Sequence, residues 1–374
     1  MRFKKIAFRF LSAINYFNRH VSVYHQPGRQ VLLPPELKTF SPDETKFLEL
    51  AAASFNYEID YSRGYRQKET WFAMLKDVSL LGNSGGVIMH GPGPDKLVTE
   101  SVFDLRRLAG SPAWRIPAFM FPKRKKGVYA AIFHLPWAAT SNYHWFFDCL
   151  PRLYALLENT KEPFTLVMPE FAPNFQRETL GFLLEKHPQI TIETIRKTEK
   201  WRCETLLFSS FVAGHFSAYL PAPVAAFMRN GIKNGYKTEN NIPEKRIYIS
   251  RSKATKRRIK NEAELLPVLE KYGFEIVFPE YLTYRDQVQL FSDSRYIIGA
   301  HGAGLTNTFF AQKASVLELH PENVVKSHYF MLCYGLGFDY QYMVGGKPDA
   351  KLDFEVDVVE FERKVREILE EKKS

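Results

Sequence analysis

Beyond roughly residue 128 the chain alternates short apolar runs with longer stretches in which apolar positions recur every three or four residues, the mark of strands feeding into helices. The pattern predicts strands at Val128–His134, Phe164–Met168, Thr191–Ile195 and Thr205–Phe211, separated by helices such as Asn174–His187 and Val224–Lys233. The polar stretch Lys237–Lys245 contains Pro243 and is expected to link two domains. A second alternating block follows, with strands near Arg246–Ser250, Phe274–Phe278, Tyr296–Gly299, Val316–Leu319 and Tyr340–Val344, and helices near Glu262–Tyr272, Arg285–Ser292, Leu305–Ala311 and Lys326–Tyr334. Two consecutive βα blocks imply an α/β protein with two doubly wound, Rossmann-like parallel sheets facing a cleft, and in such sheets ligands sit at the carboxyl ends of the strands. Upstream, VSLLGNSGGVIMHGPGPDKLVTE over 78–100 predicts a small β-meander, and Val356–Glu371 predicts a closing amphipathic helix. The expected boundaries are a basic segment over 1–35, an N-terminal domain over 36–236 that includes the meander, and a C-terminal domain over 237–374.

Charge refines this outline. Residues 1–35 hold Arg2, Lys4, Lys5, Arg9, Arg19 and Arg29 and no acid, while Phe3, Ile6, Ala7, Phe10, Leu11, Ile14 and Phe17 fall at helical spacing. This is a basic amphipathic helix with two open readings: an anchor on an anionic membrane surface through residues 1–20, or a helix docked on the protein's own core. No run of about 18 apolar residues occurs, and the N-terminus lacks the uninterrupted apolar segment of a secretory signal. The expected location is therefore cytoplasmic, peripheral on the inner face of the cytoplasmic membrane. Over the whole chain of 374 residues, Lys and Arg exceed Asp and Glu by 51 to 41, which points to an anionic partner. A hydrophobic content of 45% excludes a disordered chain. Cys149, Cys203 and Cys333 form no CxxC pair and leave one over, against a disulfide framework or structural zinc and in keeping with a reducing compartment.

The richest stretch is YIIGAHGAGLTNTFFAQKASVLEL over 296–319: an apolar strand, a glycine-rich turn, a helix start and another apolar strand. Gly299, Gly302 and Gly304 permit close backbone approach, and amides at about Ala303–Thr306 would face a bound anion; a merely tight βα turn is the other reading. The GAHGAG pattern lacks the Lys-Ser/Thr of a P-loop and the GxGxxG dinucleotide fingerprint, which argues against a dinucleotide-dependent oxidoreductase. RIYISRSKATKRRIK over 246–260 is dense in Lys and Arg and holds no acid. Ser250 and Arg251 fall where its strand ends, which suits the guanidinium to a diphosphate, with Lys256, Arg257 and Arg258 close enough in sequence to assist. Because Tyr248 is the sole aromatic among these charges and no RRM, KH or helix-turn-helix pattern occurs, no nucleic-acid partner is expected. Asn307 is grouped with the glycine loop, and Glu318 at a strand end suits ribose hydroxyls or a structural ion pair. In SNYHWFFDCLPRLYALLE over 141–158, His144 and Asp148 share one helical face, fit for a base and its orienter, for two sugar ligands, or for a structural pair. Pro151 is expected to kink that helix.

Taken together, NYHWFFDCLPRLYAL, RIYISRSKATKRRIKNEAEL, GFEIVFPE and IIGAHGAGLTNTFFAQKASVLEL resemble, in order and over about residues 80–345, the family 61 glycosyltransferases. The family includes bacterial capsule and lipopolysaccharide enzymes, plant β-1,2-xylosyltransferases and endoplasmic-reticulum O-linked N-acetylglucosaminyltransferases; this chain looks most like the bacterial members. The resemblance implies a GT-B fold and inverting transfer from a nucleotide-sugar, usually a UDP-sugar, to a glycan or lipid-linked glycan, with no cofactor and no required metal. Carried over by position, it implies His144 and Asp148 as the catalytic pair, with either one as base. It further implies Ser250 and Arg251, and the loop His301, Gly302, Ala303, Gly304 and Leu305, as donor-binding residues.

Overall fold

The computed structural model describes residues 19–26, 28–55, 61–102, 120–134, 141–214 and 217–370, so the helix expected over Phe3–Phe17 lies outside the described residues. The fold is mixed α/β, in two compact units: residues 1–35 with 68–212, and residues 36–67 with 213–374. These are not the expected boundaries. Residues 36–67 join the C-terminal half because helix Pro42–Ala53, started by a Ser41–Glu44 capping box, buries Phe47 against Tyr342, Phe330 and Tyr340 at ring separations of 4.5, 5.3 and 5.4 Å. Helix Ala222–Tyr236 also belongs there: Arg229 lies over Phe309, and Arg285 donates to the Tyr236 carbonyl. The 237–245 stretch is thus a loop inside the second unit.

In the first unit, strand β1 (Thr70–Leu81) pairs antiparallel with β5 (Lys200–Ser209), and β5, β2 (Lys123–Ala131), β3 (Phe164–Pro169) and β4 (Ile190–Ile195) continue the sheet in parallel. The expected meander is present as β1 with Val87–Met89 and Lys96–Val98, but it extends this same sheet. The expectation of a wholly parallel sheet is therefore corrected to a mixed one. The apolar sequence pattern could locate the strands but not the direction in which β1 and β5 pair.

The second unit holds five parallel strands, β6 (Lys245–Ile249), β7 (Glu275–Val277), β8 (Ser294–Ala300), β9 (Ser315–His320) and β10 (Asp339–Val344), in the order β7-β6-β8-β9-β10. Helices Glu262–Lys271, Tyr284–Ser292, His328–Leu336 and Val358–Leu369 accompany them. The chain reverses its winding between β6 and β8, and the carboxyl ends of a reversing strand pair are where doubly wound sheets bind ligands. The segment predicted as a helix at 305–311 is a 3₁₀ turn over Ala303–Phe310. Cys149, Cys203 and Cys333 are buried free thiols, and among the described residues no helix is long and apolar enough to cross a membrane.

Candidate active site

At the reversal point of the second unit, Ser250 and Arg251 follow β6 and His301 and Gly302 follow β8. A Cβ at position 302 would collide with the Arg251 guanidinium, so glycine is what lets Arg251 lie flat against the loop. Arg251 donates from Nε to the Arg257 carbonyl at 3.2 Å and from Nη2 to the Lys256 carbonyl at 2.9 Å, which fixes the fork in place. Tyr329 donates its hydroxyl to the Gly302 carbonyl at 2.7 Å and holds the loop from below. Burial, and then the neighbouring Arg257 charge, push the Arg251 guanidinium below its ordinary range.

Four more of the expected donor-site residues stand around this pair in different surroundings. Ser250 is buried and donates to both Glu262 oxygens, at 2.9 and 3.0 Å. Lys256 is exposed, and only its carbonyl meets Arg251. Asn307 donates to Gln287 at 2.7 Å and accepts from Tyr284 at 3.2 Å, fastening the 3₁₀ turn to helix Tyr284–Ser292, while Leu305 is buried in the same turn.

Glu318, expected to meet ribose hydroxyls or to form a structural ion pair, is fully buried with both oxygens engaged. Oε1 accepts from His301 Nδ1 at 2.5 Å, and Oε2 accepts from Tyr340 at 2.7 Å with His320 at 3.5 Å. Burial would raise this carboxyl, yet the His320 and His301 imidazoles hold it below the carboxylate range. Burial pushes His301 down to about 3 against the pull of Glu318. A neutral His301 that donates from Nδ1 carries its lone pair on Nε2, the arrangement that accepts a hydroxyl proton.

The first unit builds a similar group. Pro151 has no N–H to close the helix before it, and the backbone answers with a π-turn over Trp145–Cys149, in which Leu150 donates to the Trp145 carbonyl at 2.8 Å. The turn buries Asp148 to 2% exposure, where its Oδ2 meets His144 Nδ1 at 2.5 Å and His134 Nε2 at 3.2 Å. Burial would raise Asp148, but hydrogen bonds from His134 and His144 hold it well below the carboxylate range. The His144 side chain stays 26% exposed, and with Nδ1 against Asp148 its Nε2 is left for another partner. His134 and Arg152 went unread in the sequence. His134 ends an apolar strand run, while Arg152 is buried, donating to the Ile132 and Ser209 carbonyls at 3.2 and 3.1 Å over the Phe211 ring. Burial lowers Arg152 to about 10, still charged at neutral pH.

Each cluster, His134–His144–Asp148 and His301–Glu318–His320, offers a carboxylate and two imidazoles within 4.8 Å, a donor set that suits a divalent transition metal. In both, hydrogen bonds already join the carboxylate to its histidines.

These buried imidazoles give stability a pH signature. A histidine whose folded-state pKa is lowered below an unfolded value of about 6.5 loses stability as pH falls through 6.5, because only the unfolded chain takes up the proton there. His301 and His134 both shift that way, burial being the first cause. The unfolding free energy is expected to fall from pH 7 to pH 5 by up to about 1.4 kcal/mol per pH unit per group, and the thermal midpoint with it. The depressed Asp148 and Glu318 add a second loss below about pH 4. His301→Gln should flatten the first window in a calorimetric pH series, and an unchanged slope would show that His301 is not the group responsible.

Residues 143–317 match the glycosyltransferase 61 family model, a span that takes in the His144–Asp148 pair, Arg251 and the glycine loop and stops one residue before Glu318. No curated protein matches the chain. Among solved structures it is similar to the dodecameric iron-containing heptosyltransferase TibC in complex with ADP-D-β-D-heptose, at 11% identity over 63% of this chain and 64% of that one, with a TM-score of 0.25. The chain thus spans less than two thirds of that structure's length, and so low a score bears on neither fold nor ligand.

Proposed function

We propose that this chain, a family 61 glycosyltransferase, moves a sugar from a UDP-sugar to a hydroxyl of a glycan or lipid-linked glycan with inversion, as a step in cell-surface polysaccharide synthesis. One observation carries the donor half of this reading: a guanidinium laid against a glycine loop at the carboxyl edge of the reversing strands. On this reading the acceptor oxygen gives its proton to His144 Nε2, oriented by Asp148, and bonds to the anomeric carbon. The bond from that carbon to the β-phosphate oxygen breaks, and its electron pair leaves with UDP. Arg251 and the loop amides take up the charge on the departing diphosphate, a task they can perform without a metal. On this reading the donor is held by residues of the second unit and the acceptor is activated by residues of the first, the division of labour of a GT-B enzyme. Residues 1–20 are read as the contact with the inner face of the cytoplasmic membrane, a role that co-sedimentation with anionic vesicles, with and without the segment, would test.

The test starts with binding. In a panel of UDP, NAD and single-stranded DNA, UDP alone should raise the thermal midpoint, and incubation with UDP-sugars should then give hydrolysis or transfer that survives chelation. Arg251→Ala should weaken UDP binding by about 1.5 to 3 kcal/mol, the worth of a charge-assisted contact, with Lys restoring little because it lacks the fork. Unchanged UDP affinity in calorimetry would remove Arg251 from the site. A product of retained anomeric configuration, read by NMR, would overturn the single displacement.

A further inference from the structure

The basic run after β6 does not spend its charges alike. Arg258 is fully engaged with Asp353, whose carboxylate takes the Arg258 backbone amide at 2.8 Å, Nε at 2.8 Å and Nη2 at 2.6 Å. Its neighbour Arg257 is held differently. The Arg257 Nε is buried and has no hydrogen-bond partner among the described residues, and neither Arg257 nor Arg251 makes an ion pair there. The two guanidiniums are close enough for the Arg257 charge to act on Arg251, and Arg251 also grips the Arg257 carbonyl. Two like charges brought together with no ion pair of their own among the described residues, one with a buried donor left over, raise the energy of the empty protein and are offset when an anion enters.

The backbone adds an independent sign. Arg257 sits at φ +59°, the left-handed region that costs a non-glycine residue of this kind about 1 kcal/mol or more. Lys237 has the same conformation at φ +53°, but there it ends helix Ala222–Tyr236 and its amide meets the Asn234 and Lys233 carbonyls. Arg257 ends no helix. Its amide is tied to the Lys351 carbonyl at 3.0 Å, which holds the strained turn and aims the side chain into the field of Tyr329 and Glu318. Glycine would suit this turn better, and the sequence puts its largest cation there.

We infer that Arg257 is a second binding group for the diphosphate of the nucleotide, held with Arg251 in a strained turn so that two guanidiniums meet the anion together. This rests on the nucleotide-sugar reading above and singles out Arg257 from the three basic residues, Lys256, Arg257 and Arg258, that the sequence offered as helpers of Arg251. Binding draws the spare Nε–H of Arg257 onto a phosphate oxygen and relieves the repulsion between the two arginines.

The experiment compares wild type, Arg257→Gly, Arg257→Lys and Arg251→Ala, each titrated with UDP and with inorganic pyrophosphate and each melted without ligand. Arg257→Gly is expected to melt several degrees higher than wild type, through relief of backbone strain, and to bind UDP about 10- to 100-fold more weakly. Arg257→Lys should keep the wild-type melting point and lose part of the affinity. If Arg257→Gly melts higher but binds both anions as wild type does, or if it melts lower with affinity unchanged, the residue is structural and the proposal fails. Wild-type binding of pyrophosphate but not UDP, lost in Arg257→Gly, would keep Arg257 as an anion ligand and overturn the nucleotide reading. Binding of neither anion by wild type overturns the proposal itself.

Discussion

His144→Ala lowers turnover by about 10² to 10⁴-fold, with UDP affinity kept within a few-fold, when the acceptor is saturating; this is the worth of a general base. The expectation follows from how the π-turn distributes protons. Asp148 is buried and held ionised, so it is an acceptor for an Nδ1–H of His144, and the tautomer that makes this bond keeps its lone pair on Nε2 of a side chain that is 26% exposed. Asp148→Asn should cost a comparable factor by turning the imidazole to the wrong tautomer. Asp148 as the base instead would require a carboxylate with two histidine partners to leave them and reach solvent from 2% exposure. Steady-state rates with a saturating acceptor decide the matter. If both variants keep near-normal turnover, the pair is structural and the base lies elsewhere.

Glu318→Leu is expected to destabilise the protein by about 2 to 5 kcal/mol, because the change strands the His301 Nδ1–H and the Tyr340 hydroxyl in the core without an acceptor. Glu318→Gln should cost less, since its carbonyl can still serve one of the two donors. Urea unfolding at pH 7 measures both, and a Leu variant as stable as wild type would mean that the cluster is solvated rather than buried. UDP affinity offers a separate readout: as a positioning residue, Glu318 should act on it only through the set of the His301 ring.

Much of the second unit could be read from the chain because parallel strands buried on both faces are written as unbroken apolar runs. Tyr296–Gly299 was expected and Ser294–Ala300 is found, and Val316–Leu319 became Ser315–His320. The nearness of the glycine loop to Arg251 was legible for a related reason: both stand just past strand ends at the carboxyl edge of one parallel sheet. What stayed hidden depends on partners far away in sequence. Nothing near Phe47 shows that its aromatic neighbours come from Phe330, Tyr340 and Tyr342, and nothing near Glu318 shows that three side chains close over it. Arg152 was unreadable because its partners are main-chain carbonyls, which every sequence has.

The segment 36–67, inserted between two pieces of the first unit yet packed with the second, bears on how the protein is made. The chain passes between the units three times, after residues 35, 67 and 212, so cutting it once cannot release either unit whole. On the ribosome, helix Pro42–Ala53 emerges early with Phe47 and Leu48 uncovered, and their aromatic partners follow roughly 300 residues later, about 15 to 60 s at 5–20 residues per second. Through that interval the growing chain presents an apolar face with nothing to lie on, and it is then that a chaperone would be needed most.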